Sequence, residues 1–164
     1  MQDIRSRSDQ GNYWWELRRC AYMEDFSKPK IIFSEIVREP SFVYDENHNF
    51  FAEATARIIV GEKLLYLLAI LNSKLFFYTV KKFYGGGGLG ESGIRMLHTF
   101  FQNFPCIVPN PDDERYLSDL AYQANGAKDS AERNRIADEI DRKIFEMYGL
   151  TDEEIACISA EASQ

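Results

Sequence analysis

The chain has 164 residues, 45% apolar and 14% aromatic, which suits one folded core and excludes a disordered chain. Three scattered cysteines and two histidines without partners at ligand spacing, His48 and His98, argue against a disulfide framework and a metal centre. The net charge of −7 is uneven: residues 1–108 carry 13 basic and 12 acidic side chains, residues 109–164 carry 6 and 14. The acid is confined to the last third, so the first two-thirds can still offer a local basic face to nucleic acid.

The polar start "MQDIRSRSDQGN" shows no signal segment, and with cysteines read as reduced and partly buried it points to a cytoplasmic protein. "YWWELRRCAY" (Tyr13–Tyr22) fits helix or strand; Trp14 and Trp15 suit core packing, with base stacking as the other use. "KPKIIFSEI" (Lys28–Ile36) predicts a strand entered through Pro29. "SFVYDENHNFFA" (Ser41–Ala52) predicts a hairpin turning at Asp45–Asn49, and "ARIIVG" a further short strand.

"EKLLYLLAILNSKLFFYTVKKF" (Glu62–Phe83) predicts one long helix, apolar on nearly every side and therefore buried. A membrane span is disfavoured by Asn72, Ser73 and Lys74 at its centre, a central Lys alone costing about 3 kcal/mol. Six glycines then fall in nine positions, Gly85 to Gly93. The run lacks the Gly-Lys-Ser/Thr of a phosphate loop, and it follows a helix instead of a strand, against a dinucleotide fold. That leaves a flexible turn or bare backbone lying close to a ligand.

"IRMLHTFFQNFPCIVP" (Ile94–Pro109) reads as one or two extended stretches. Asn110, Pro111 and two acids then open a helix that ends at Gly126. A second, about Asp129–Tyr148, has its stripe at Ile136, Ile140, Ile144 and Met147. Gly149 caps it, and Thr151-x-x-Glu154 opens a short third. Asp112, Asp141 and Lys143 formally match a nuclease carboxylate–lysine pattern, but they fall on helices where solvated charge is the simpler reading.

The succession "WWELRRCAYMEDFSKPKIIFSEI", "YLLAILNSKLFFY", "GGGGLGESGIR…FPCIVP" and "IDRKIFEMYGLTDEEI" resembles the TaqI-like C-terminal specificity domain, from about Tyr13 to Ile155. From "NFPCIVPNP" onward the chain also resembles the segment that closes a recognition domain in type I specificity subunits. The resemblance implies an α+β fold. Residues 1–109 would form an irregular β-rich, partly β-helix-like recognition lobe with one long buried helix, and residues 110–164 a C-terminal helical hairpin of the same structural domain. It further implies DNA target recognition for an adenine-N6 methyltransferase or fused restriction–modification enzyme. The partners would be double-stranded DNA and the parent's catalytic domain, with no membrane.

No catalytic motif accompanies it: the Asn/Asp-Pro-Pro-aromatic motif that holds a flipped adenine is missing, and no Pro-Pro occurs. The chain therefore reads as a fragment without its own cofactor, S-adenosylmethionine belonging to the parent enzyme. By side-chain chemistry, Lys28, Lys30, Lys81, Lys82 and Arg95 are the phosphate or base-edge candidates. Tyr84 and the backbone of Gly85, Gly86, Gly87 and Gly88 are candidates for close approach to the duplex; Glu35 and Asp45 are poor ones. The alternative of another class is a structural or protein-docking domain acting through the hairpin.

Overall fold

A computed structural model describes residues 8, 10–16, 18, 20–52, 55–84, 94–96 and 102–162. Pro29 leads into β1 (Lys30–Ser34), and β2 (Ile36–Val37) follows after Glu35 alone. β3 (Val43–Asp45) and β4 (Ala56–Ile59) flank β1 in an antiparallel sheet of order β3-β1-β4, while β2 pairs antiparallel with β5 (Ile94–Arg95). The alternation of "KIIFS" turns Ile31 and Phe33 into the core. Lys30, on the opposite face, is equally buried because the 3-10 turn Met23–Ser27 lies over it.

Strands of two to five residues make the lobe less β-rich than the sequence suggested, and none of the described pairings is the parallel stacking of a β-helix. The expected hairpin also differs: β3 pairs with β1, and residues 50–52 form no strand. The Asp45 carboxylate is the reason. It accepts the N–H groups of Asn49 (3.0 Å) and Phe50 (3.1 Å), which curls the chain into a loop before a second limb can pair. "YWWELRRCAY" is neither helix nor strand at its described positions. Tyr13 stacks on Trp15 at 4.8 Å, and both tryptophans stay substantially exposed instead of entering the core.

The long apolar helix is two helices, α1 (Leu64–Leu71) and α2 (Lys74–Thr79), bent by 59° and continued by a π turn, Val80–Tyr84. The polar triplet makes the break. Asn72 turns its amide onto the backbone of Phe42, and Ser73 caps α2 by accepting the N–H of Phe76 (3.1 Å). Among the described residues no single helix is long and apolar enough to cross a membrane, and the bent pair is largely buried within the protein.

The acidic third follows its caps. Asn110 accepts the N–H groups of Asp112 and Asp113 to start α3 (Pro111–Gly126). Asp129 starts α4 (Ser130–Tyr148), and Gly149, at φ 65°, ends it in the left-handed conformation that glycine adopts without strain. Thr151 and Glu154 exchange capping bonds ahead of α5 (Asp152–Ala162). Leu117, Leu120, Ile136, Ile140 and Ile144 share one core with Ile31, Phe33, Leu68 and Phe76, so lobe and hairpin pack as a unit. An aromatic chain crosses that join: Phe33–Phe42 (5.1 Å), Phe42–Phe76 (5.9 Å), Phe76–Phe104 (5.1 Å) and Phe104–Tyr148 (6.0 Å). Such pairs contribute about 0.5–1.5 kcal/mol each beyond burial.

Candidate nucleic-acid interface

Glu35 is the residue at which the chain leaves one sheet for the other. Its N–H donates to Thr55 O (2.8 Å) beside β4, and its carbonyl accepts from Met96 just after β5. With the backbone pinned on both sides, the side chain has one place to go, and it is buried there. An isolated buried carboxylate is costly, so it draws cations to it. Arg57, opposite Phe33 on β4, donates both Nε and Nη2 to Oε1. Arg95, opposite Ile36 on β5, brings Nη2 to 3.7 Å from Oε2. The Arg57 bonds, opposed by burial and aided by the nearby Arg95, hold the Glu35 carboxyl below the usual carboxylate range. The outcome is a fixed anion with two guanidinium groups, each about half exposed (51% and 53%).

The sequence candidates fall in separate environments. Lys30 is fully buried, with its ammonium on Asp45 Oδ2 (2.6 Å) and Phe26 O (3.0 Å), so it is a structural ion pair and not a surface contact. Side-chain chemistry made it a candidate, and no local signal marked that a turn would cover it. Lys28 is exposed and bonded to Asp25 (2.7 Å), which raises its pKa. Lys82 faces the hairpin, bonding Glu161 (2.7 Å) with its ammonium over the Tyr78 ring, and that Glu161 bond raises its pKa. Lys81 is exposed and has no ion-pair partner among the described residues. Tyr84 closes the π turn, and Gly85, Gly86, Gly87 and Gly88 lie outside the described residues.

Of the nuclease pattern, Asp112 and Lys143 border one groove and Asp141 another. Asp141 is buried, accepting the Lys74 N–H (2.8 Å) and lying 3.2 Å from its ammonium, while Lys143 bonds Asp113. Arg57 was missed by the sequence reading. The available signal was Glu35, a carboxylate inside an apolar run, which demands a partner in space.

The profile of the TaqI-like C-terminal specificity domain matches residues 2–89, more than half of the chain. The chain belongs to this family. The match takes in Lys28, Glu35, Arg57, Lys81 and the first part of the glycine run, and it stops before Arg95 and the hairpin. No curated protein matches the chain. A TaqI-like specificity domain is a module of a methylation or restriction system, and of the two exposed arginines at the sheet junction Arg57 lies within the matched residues.

Proposed function

We propose that this chain is the DNA target-recognition module of an adenine-specific DNA methyltransferase, or of a restriction–modification enzyme built around one. The family match over residues 2–89 carries the reading. The Arg57–Glu35–Arg95 cluster and the exposed Lys81 supply cationic groups suited to a duplex. In this reading double-stranded DNA is the ligand, and a catalytic domain that flips and methylates the adenine is the partner.

S-adenosylmethionine is assigned to that catalytic domain. The assignment rests on the missing Asn/Asp-Pro-Pro-aromatic motif, whose work on the flipped adenine accompanies that cofactor. The roles of Lys81, Lys82, Tyr84, the Gly85–Gly88 backbone and Arg95 as DNA contacts remain part of the proposal. So do the division at residue 109 and a β-helical element in the lobe.

The test joins the chain to its catalytic region and measures DNA binding and adenine methylation over a salt series, with Lys81→Ala and Arg95→Ala beside the wild type. A side chain that neutralises one phosphate contributes about 0.9 to the slope of log affinity against log salt, and its removal should flatten the slope by that amount. Sequence-independent binding by the wild type would refute the recognition role. A hairpin variant that abolished methylation without changing DNA affinity would favour the docking alternative.

A further inference from the structure

We propose that Arg57, buttressed by Glu35, is a base-reading arginine that recognises a guanine edge in the DNA target. The inference rests on the target-recognition reading above and deepens it by naming the residue and the chemical group it reads.

The buttress fixes which donors are left. A guanidinium carries five N–H groups in a planar fork. Arg57 spends Nε and one N–H of Nη2 on Glu35, and no described residue accepts from Nη1. Three N–H groups remain, and two of them, one from each terminal nitrogen, form the end-on pair on a side chain 51% exposed. Two parallel donors on a planar group match two adjacent acceptors, and in the major groove guanine alone presents O6 and N7 together.

A backbone phosphate also accepts an arginine fork, but the anion directly behind Arg57 weakens its pull on a full negative charge more than on a neutral base edge. The carboxylate of Glu35 lies within hydrogen-bond reach of Arg57, so a phosphate seated on the far side of the guanidinium would feel the anion behind it. The guanine edge is uncharged and is not repelled. Arg95, on the other oxygen of Glu35, leaves the cluster with a net charge of +1, which still favours approach to the duplex.

Pre-organisation points the same way. Phosphate binding tolerates a mobile side chain, whereas base discrimination needs the fork held before the DNA arrives. Here β4 holds Arg57, two backbone hydrogen bonds hold Glu35, and burial fixes the carboxylate between them. A short strand carrying the reading side chain agrees with β-elements that enter the major groove.

The experiment begins by selecting preferred duplexes from a random pool with the full chain joined to its catalytic region. Arg57→Ala, Arg57→Lys, Glu35→Gln and Arg95→Ala follow, each checked for folding by its thermal transition. The inference expects Arg57→Ala to lose discrimination at one G·C pair by roughly 5- to 100-fold, with other positions unchanged. Arg57→Lys keeps the charge but not the fork, so it should fail to restore that preference. Glu35→Gln should weaken it while leaving the remaining positions alone.

Deazaguanine, which lacks the N7 acceptor, gives a readout that a merely structural role would not move. Placed at the selected pair, it should weaken wild-type binding and leave Arg57→Ala unaffected. A uniform loss across all sequences with a salt slope lowered by about one would make Arg57 a phosphate contact and overturn the inference. Selection of the same site by folded Arg57→Ala would overturn it too, with target recognition intact. A wild type that selects nothing would remove the recognition reading, and this inference with it.

Discussion

Lys30 is the position where structure and sequence part most sharply, and its substitution by methionine separates the two. A surface lysine on DNA would leave stability unchanged and weaken binding. A fully buried ammonium on Asp45 predicts the reverse. Lys30→Met keeps most of the side-chain volume but strands Asp45, which is 3% exposed, with only the N–H groups of Asn49 and Phe50. Removing one member of a buried pair costs about 3–5 kcal/mol. At about 2–4 °C per kcal/mol for a chain of this size, the melting temperature should fall by about 6–20 °C. The double substitution Lys30→Met with Asp45→Leu removes the stranded charge and should recover part of the loss, a non-additivity that a double-mutant cycle reads directly.

The pH dependence gives a second arm. Burial opposes ionisation of Asp45, but Lys30 and the two backbone donors outweigh it and hold the carboxyl below its ordinary value. A depressed folded pKa means stabilisation present above the unfolded pKa and lost as pH falls through the folded one. Wild type should therefore lose this contribution below about pH 4. In Lys30→Met burial prevails, the folded pKa rises, and the variant should lose ground to wild type as pH increases from about 4 toward 7. Urea unfolding across that range measures both. Stability within about 0.5 kcal/mol of wild type, together with weakened DNA binding, would refute the buried-pair account and return Lys30 to the surface.

The remaining predictions concern the joints of the fold. Asn72 and Asn125 clasp the residue just before β3 and one within it, accepting the N–H and donating to the carbonyl of Phe42 and Tyr44 respectively. Asn72→Ala should cost about 1–3 kcal/mol and the more exposed Asn125→Ala about 0.5–1.5, with faster amide exchange confined to Phe42 or Tyr44. Asp141 is raised above the ordinary aspartate value by burial, only partly offset by Lys74, so wild type loses this contribution as pH rises through the folded pKa. Asp141→Asn keeps an acceptor for the Lys74 N–H, and its stability relative to wild type should improve on going from about pH 4 to pH 7, read by chemical denaturation. Tyr66 and Tyr148, each pushed up to about 12 chiefly by burial, should remain protonated through the ordinary tyrosine range near pH 10, which an ultraviolet titration of the native protein will show against Tyr66→Phe and Tyr148→Phe.

The hairpin was legible because its signals are local. Asn110-Pro111, Asp129, Gly149 and Thr151-x-x-Glu154 each act within one helical turn, and each makes the bond its position implies. The break at Asn72–Ser73 was half legible: the polar triplet disfavoured a membrane span, but its use as a helix end depends on Phe42, thirty residues away. Lys30 was misjudged, and the pairing of Asp45 and Glu35 went unseen, for one reason. Alternation reports which face of a strand a residue occupies, and not whether a second layer covers that face. Three charged groups in short apolar strands were a visible anomaly. Charge in such a place is either solvated or paired, and only tertiary structure says which.

The uneven charge takes on a different meaning once the pairs are known. Lys63 bonds Glu114 (2.6 Å), Lys74 bonds Asp138 (2.7 Å) and Lys82 bonds Glu161 (2.7 Å), each a lobe lysine on a hairpin carboxylate. Part of the acid in residues 109–164 therefore faces inward, toward the lobe. Exposed pairs of this kind contribute about 0–1 kcal/mol each, so their effect on stability is small and their effect on charge placement is larger. They take three lysines out of any basic face and leave Arg18, Arg38, Arg57, Lys81 and Arg95 as the more available cations among the lobe's described residues. In the proposed recognition role, cations placed singly at the sheet junction favour specificity from well-placed groups over a broad positive field. A buttressed arginine is such a group, and it predicts a chain whose binding falls sharply with one wrong base pair at the position it reads.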